Sequence, residues 1–417
     1  MKIAIIGSGI SGLSMCYFLN DYGYKSTLFE KESKLGGHTN SFTIDKGIDS
    51  GLKIDTGFIV FNDTNYPNFL KLINRLKIDY EDSEMSFSYW NVKNDYGYSG
   101  KNLKGLLPES IFDFNKFKFL YDIYSSTKKF KYYYENKLLK DDTLIEHFNK
   151  HNYSTNVVEK YFLPLASAIW SSPSADIKNW NAKFFADFYS NHGLLDFKNR
   201  PKWKYIKNGS NSYIDKIIDH TKPEINMNTE VKKIVTFDNK VKILTDKDEF
   251  IFDTVFIATH ADQANLLLDD INLTNLYHPL QNWKYSSNHI YLHKDINLLP
   301  RKRKYWASWN YIENESDNNK QISISYNMNY LNKIDSKNTY IVSLNPISKP
   351  NKNQILYETY YEHPIFDINS TNTKNIINHN NGKSNVFFVG SYLGNGFHED
   401  GVKSAQNAFD KFISVKR

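Results

Sequence analysis

Met1-Lys-Ile-Ala-Ile-Ile-Gly7-Ser8-Gly9-Ile-Ser11-Gly12 opens the chain, and this stretch decides the fold. Lys2 to Ile6 is a short apolar run suited to a buried parallel strand, and Leu13 to Asn20 reads as a helix. The glycines between them have separate tasks. Gly7 permits the tight turn, Gly9 lets a pyrophosphate approach the backbone, and Gly12 lets helix and strand pack closely. The helix start would then hold the pyrophosphate on its free N–H groups. Ser26 to Phe29 reads as a second strand, ending in Glu30, eighteen residues after Gly12. A carboxylate there accepts hydrogen bonds from a ribose 2′-OH and repels a 2′-phosphate. Gly and Ser break the segment too often for a secretory leader, and no small-residue cleavage site follows.

Beyond the acid comes Lys31-Glu-Ser-Lys-Leu35-Gly36-Gly37-His38-Thr39. A Gly-Gly pair so close to the ribose acid suits a second backbone approach to the same dinucleotide, which an NAD-binding fold does not need. Ile54-Asp55-Thr56-Gly57-Phe58 reads as a strand end feeding a tight turn. Near the other end, Asn385-Val-Phe-Phe-Val-Gly390-Ser391 has the pattern of a buried strand. A Gly-rich loop follows, then a helix from about Gly401 with Val402, Ala405, Phe409 and Phe412 at helical spacing. The start of such a helix, aimed at a flavin, would stabilise charge on its N1/O2 edge.

These segments resemble the flavin-dependent amine oxidase and phytoene desaturase superfamily. Within it, the chain is similar to a group of NAD/FAD-binding oxidoreductases often encoded beside cyclopropane-fatty-acid-synthase-like methyltransferases. The likeness rests on GSGISG (7–12), LGGHTN (35–40), DTGFIVFN (55–62), YFLPLASAIWSSP (161–173), NHGLL (191–195), FIATHADQA (256–264) and GSYLGNGFHEDG (390–401). It implies FAD in contact with Gly7, Ser8, Gly9, Ser11, Gly12, Glu30, Lys31, Gly36, Gly37, His38, Thr39, Thr56, Gly57, Phe58, Val231, Gly390, Ser391, Asp400, Gly401 and Val402. Many relatives carry Gly-Asp where this chain has Gly390-Ser391, so a hydroxyl replaces the carboxylate at the ribityl position. Covalent attachment uses a cysteine near the C-terminus. Cys16 is the only cysteine and falls in the first helix, so FAD is expected to be non-covalent.

The expected fold class is α/β: a Rossmann-type FAD domain, with parallel sheet and β-hairpin, joined to an α+β substrate domain. Residues 1–75, 205–275 and 382–417 would form the first, and 76–204 and 276–381 the second. Val231 to Ile234 and Lys240 to Leu244 should pair around Asp238-Asn239, with Phe250 to Thr259 returning to the main sheet. Residues 76–204 read as mostly helical. Residues 276–381 read as strands with an antiparallel sheet, on the alternation in Trp306 to Tyr311, Gln321 to Met328, Tyr340 to Leu344 and Ile355 to Tyr360. Asn314 to Lys320 reads as a polar loop.

Composition narrows the classes. A single cysteine excludes an internal disulfide and suits a reducing, cytoplasmic setting. No apolar run reaches bilayer length. His38, His192, His260, His289, His293, His363 and His398 lie in separate segments without ligand spacing, so no metal site is expected. The net charge of +6 comes from scattered lysines offset by 46 acids, which argues against nucleic acid. One stretch, Ile111 to Lys140, interleaves Phe and Tyr with Lys116, Lys118, Lys128, Lys129, Lys131, Lys137 and Lys140. It reads as a helix with an aromatic core face, or as one lying in an anionic bilayer interface.

Candidate walls of a substrate site are Phe58, Trp170, His192, Phe397 and His398. His398 is the candidate catalytic group, able to move a proton or simply to bond the loop. Asp400 reads as an N-cap. The leading functional expectation is hydride transfer from an apolar substrate, such as a fatty acyl chain, to flavin N5. The alternatives are amine oxidation, flavin-dependent isomerisation or mutase chemistry without net redox, and a non-catalytic partnership with a lipid methyltransferase. A second nucleotide motif is missing, which leaves oxygen, a quinone or a carrier protein as electron acceptor.

Overall fold

The computed structural model describes every residue except 108–111, 171–176, 197, 199, 269–270, 317–318 and 417. The starts and ends of two sequence segments, at Ile111 and at 171–173, lie outside the described residues.

Five short parallel strands form the first sheet, in the order Glu224–Asn226, Ser26–Phe29, Ile3–Ile6, Thr254–Ile257, Val386–Phe388. Their continuous apolar character follows from burial on both faces. Ile3, Ile5, Leu28, Phe256 and Phe387 point to one side, into a core shared with Leu13, Val402 and Phe409. That side is covered by the helices Ile10–Asp21, Asn211–Thr221 and His398–Lys416. Ala4, Ile6, Phe29 and Ile257 point the other way. There a three-stranded meander covers them, with the Phe250 and Phe252 rings 5.2 and 5.9 Å from that of Phe29.

The meander begins with the hairpin expected around Asp238 and Asn239, whose φ angles of 44° and 60° are those of a two-residue turn matched to strand twist. The segment from Phe250 does not return as one strand. Glu249–Phe252 closes the meander, and Thr254–Ile257 enters the parallel sheet after a break at Asp253.

The second sheet has seven strands, in the order Ile355–Ile365, Lys284–His293, Ile341–Leu344, Asn319–Asn327, Trp309–Ser316, Phe87–Asn91, Tyr96–Ser99. All neighbours are antiparallel except Trp309–Ser316 with Phe87–Asn91. Two expectations are corrected here. Asn314 to Lys320 is not a loop: its described residues belong to the paired strands Trp309–Ser316 and Asn319–Asn327. Residues 276–381 are not strands alone but include the helix Ile368–Asn380, while 76–204, mostly helical in its described elements, also holds the strands Tyr80–Asp82, Phe87–Asn91 and Tyr96–Ser99 and the start of Trp203–Ile206. A helical layer, chiefly Phe114–Glu135, Leu144–Lys150, Leu163–Trp170 and Ala182–Asn191, completes the second half.

Candidate functional site

The two halves enclose a cavity of about 910 Å³ that begins at the ends of the parallel strands. Its first part is made of backbone. Gly7 has φ +97°, and a Cβ there would come within 2.9 Å of the Ala258 carbonyl oxygen. A Cβ on Gly12 would fall on the carbonyl oxygen of Gly7. Gly9 differs: a Cβ there meets nothing within 4 Å, so the bare backbone faces open space at the start of helix Ile10–Asp21. The second glycine pair packs onto this turn. The Gly36 N–H donates to the Ser8 carbonyl and hydroxyl oxygens at 3.1 and 3.2 Å.

Glu30 sits at the adjoining strand end. It accepts from the Ser8 N–H at 2.9 Å, the Ser8 hydroxyl at 2.5 Å and the Glu32 N–H at 2.9 Å. The carboxylate is thereby aimed, and the Gly9 backbone stays exposed to the cavity. A glycine turn that leaves room for phosphate beside an oriented acid fits an adenine dinucleotide.

Of the cofactor residues expected from sequence, Gly7, Ser8, Gly9, Ser11, Glu30, Lys31, Gly36, Gly37, His38, Thr56, Gly57, Phe58, Val231, Gly390 and Ser391 line the cavity. Gly12, Thr39, Asp400, Gly401 and Val402 stand behind it. Gly401 allows the last helix to approach Ile10 and Ser11, and Val402 is core.

A sequence profile described as flavin containing amine oxidoreductase matches residues 10–292. The chain belongs to this flavin-containing amine oxidoreductase family. It is similar to coproporphyrinogen III oxidase of Staphylococcus aureus (strain NCTC 8325 / PS 47), with 27% identity over 287 residues. That stretch is 62% of this chain and 60% of the relative, so the chain matches less than two thirds of that protein's length. Cyclohexylamine oxidase from Brevibacterium oxydans IH-35A shares the fold, with a TM-score of 0.70, 14% identity and coverage of 100% of this chain and 99% of that one. So does a CLA-producing fatty acid isomerase from P. acnes, with a TM-score of 0.68, 12% identity and coverage of 99% and 98%.

In this member of the flavin-containing amine oxidoreductase family the last helix starts at His398, three residues earlier than the spacing of its apolar positions suggests. Asp400 is therefore not the N-cap. It occupies the third helical position, and its carboxylate reaches back to accept from the Phe397 N–H at 3.0 Å. Burial pushes its acidity weaker, against the opposing hydrogen bonds from the loop N–H groups. Glu399 serves a different helix. It accepts from the backbone N–H groups of Asn68 and Phe69 at 3.0 and 2.9 Å, closing the exposed start of helix Pro67–Arg75.

His398 lines the cavity, and its Nε2 lies 3.0 Å from the Thr39 hydroxyl and 3.1 Å from the Tyr213 hydroxyl. Its ring stacks on Phe58 at 3.6 Å. Burial, reinforced by His38, pushes its pKa down to about 3, so the imidazole is neutral. This bonding ties the last helix to the Gly36–Thr39 loop and favours the positioning role over proton transfer. Trp170 and Phe397 also line the cavity, whereas His192 lies one layer back, stacked on Phe188 at 3.8 Å.

Sequence reading missed the convergence of three histidines. The His38 ring lies 5.4 Å from that of His260 and 5.5 Å from that of His363. The His38 Nε2 is 2.9 Å from the Glu362 carbonyl oxygen, and His260 stacks on Tyr285 at 4.5 Å. All three line the cavity and are half-buried. Burial and mutual repulsion push His38 and His260 down to about 4 and His363 to about 3. Among the described residues, no set of three or more His, Cys, Asp or Glu side chains is arranged to hold a metal ion. Every residue from Thr359 to Pro364 in strand Ile355–Ile365 lines the cavity, so this strand end runs along its wall. Alternation in the sequence marks the strand but does not place it beside the site.

Proposed function

We propose that this chain oxidises an apolar substrate, in the first instance a fatty acyl chain, by removing a hydride from a C–H bond. FAD, when bound, supplies the two-electron acceptor in its flavin ring. The protein must hold the substrate, exclude water and take up the proton that the substrate loses with the hydride.

The observation that carries this reading is the far wall of the cavity. Ile290, Trp309, Tyr326 and Leu344 come from the second sheet, and Phe366 and Phe397 close the space beside them. The charged lining residues Glu30, Lys31, Glu32, Lys34, Glu230 and Lys232 all come from the dinucleotide end, and Glu362 stands beside the histidines. An apolar wall next to an oriented cofactor site suits a substrate without charge at its reacting carbon. The imidazoles of His38, His260 and His363 are neutral because burial disfavours their charged form, so they add no positive charge beside the apolar wall.

Incubation of the holoenzyme with unsaturated fatty acids and an artificial electron acceptor tests the proposal. Acceptor reduction matched by a product lacking two hydrogen atoms supports it. A product of unchanged mass with no acceptor consumed supports isomerisation instead. Acceptor reduction with simple amines alone supports amine oxidation.

A further inference from the structure

Helix Phe114–Glu135 carries two apolar stripes, and only one of them is used by the fold. Phe119, Ile123 and Phe130, with Ser126 and Thr127 between them, face the protein interior. At 100° per residue, the opposite face holds Phe114, Phe117, Tyr121, Tyr124 and Tyr132, and all five are exposed. Phe114 and Tyr121 are 73% and 67% exposed, values ordinary for lysine and unusual for large aromatic rings. Leu103, Leu107 and Phe112, in the segment leading to this helix, are exposed as well, and so is Leu138 just beyond it. A helix face that only met water would carry charged or small polar groups.

The charges around the stripe identify what it meets. Among the described residues 102–140, the exposed charged side chains are Lys104, Lys118, Lys128, Lys137 and Lys140 against a single acid, Glu135. That acid is held by Lys131 at 3.5 Å. Asp113 is occupied in capping the helix, accepting from the Lys116 N–H at 3.1 Å. Lys128 lies over the Tyr124 ring at 4.6 Å, which places its ammonium at the edge of the aromatic surface. A second copy of the same face would bring lysines against lysines, a repulsive arrangement. An acidic lipid surface offers both requirements together: hydrocarbon for the rings and phosphate for the ammonium groups.

We infer that the exposed aromatic face of helix Phe114–Glu135 is a docking surface for an anionic bilayer, on which the helix lies parallel to the membrane plane. No described helix is long and apolar enough to cross a membrane, so the contact would be peripheral. The inference stands whether or not the substrate is a lipid.

Flotation of the full-length holoprotein with phosphatidylglycerol-containing vesicles tests it, with pure phosphatidylcholine vesicles as reference. The protein should float with the acidic vesicles at low salt and be released at high salt. F114S/F117S/Y121S should abolish flotation. K118Q/K128Q should weaken it about 25-fold, from a factor of about five for each lysine near the surface. Flavin absorbance and melting temperature report folding, and both variants should keep wild-type values, because the changed side chains face solvent. Failure of the wild type to float overturns the inference. So does flotation that is equal on the two vesicle types, or that survives in the triple variant. Sedimentation velocity covers the remaining occupant: a dimer that becomes monomeric in the triple variant, without flotation of the wild type, would assign the face to self-association.

Discussion

Gly9 and Gly12 sit in one turn, yet the structure gives them opposite physical tasks, and alanine substitutions separate them. A methyl group on Gly9 meets no protein atom within 4 Å, and the residue has φ −64° and ψ 178°, which any L-residue adopts. Gly9→Ala should therefore leave the apoprotein as stable as wild type, or raise stability by about 0.4–1 kcal/mol through the less flexible unfolded chain. The same methyl group fills the space that the exposed backbone offers to a pyrophosphate. Loss of two charge-assisted hydrogen bonds from backbone N–H groups costs about 3–6 kcal/mol. FAD affinity should then fall by about 10²–10⁴. Gly12→Ala acts on the fold, because its Cβ would lie on the Gly7 carbonyl, a backbone atom with nowhere to move. Overpacking of this kind costs about 1–3 kcal/mol or more even without cofactor. Thermal melts of the two apoproteins, with FAD titrations followed by flavin fluorescence, measure both quantities. A Gly9→Ala protein that binds FAD like wild type, or an apoprotein that melts far below wild type, would refute the division of labour.

Glu30→Ala removes the acceptor assigned to the ribose hydroxyls and should weaken FAD by about 10–100-fold, from about 1.5–3 kcal/mol for a charged hydrogen bond, as read by the same titration. Glu399→Ala strands the N–H groups of Asn68 and Phe69 and should cost about 1–3 kcal/mol in denaturant unfolding, with little change in substrate specificity. Burial pushes His293 from 6.5 down to about 4, against the opposing pull of Asp295, while its ring bonds Ser343 at 2.8 Å. The unfolded chain takes up that proton first, so stability is complete above pH 6.5 and is lost as pH falls towards 4, by about 3 kcal/mol for this group. Unfolding curves across that window should show the fall, and His293→Gln should reduce it by this group's share only, because the buried His38, His260, His363 and His398 titrate in the same direction. Burial lifts the Cys16 thiol to about 12, so maleimide labelling of the native protein should be negligible and become complete only on denaturation.

The first half of the molecule was legible because its signals are local. The strand Ile3–Ile6 is buried on both faces and reads as an unbroken apolar run, and the glycine turn has few alternatives. The Asp238-Asn239 turn likewise announces its hairpin. The second sheet was only partly legible, since alternation reveals strands but not their neighbours. Phe87–Asn91 pairs with Trp309–Ser316 across more than two hundred residues, and nothing in either segment names the other. The 314–320 stretch looked like a loop because its side chains are polar. What makes it strand is backbone pairing, with Asn314 opposite Gln321 and Glu315 opposite Lys320, which side-chain polarity does not reveal. The histidine group escaped because His38, His260 and His363 share a site only after three distant segments meet.

We propose that the cavity presents an apolar C–H to a flavin acceptor. Anaerobic titration of the purified holoprotein with unsaturated fatty acids or phospholipids, followed in the visible flavin band, tests it most directly. Stoichiometric bleaching by the lipid, and none by simple amines, is the predicted result. A flavin that stays oxidised with every lipid and bleaches with amines would contradict it.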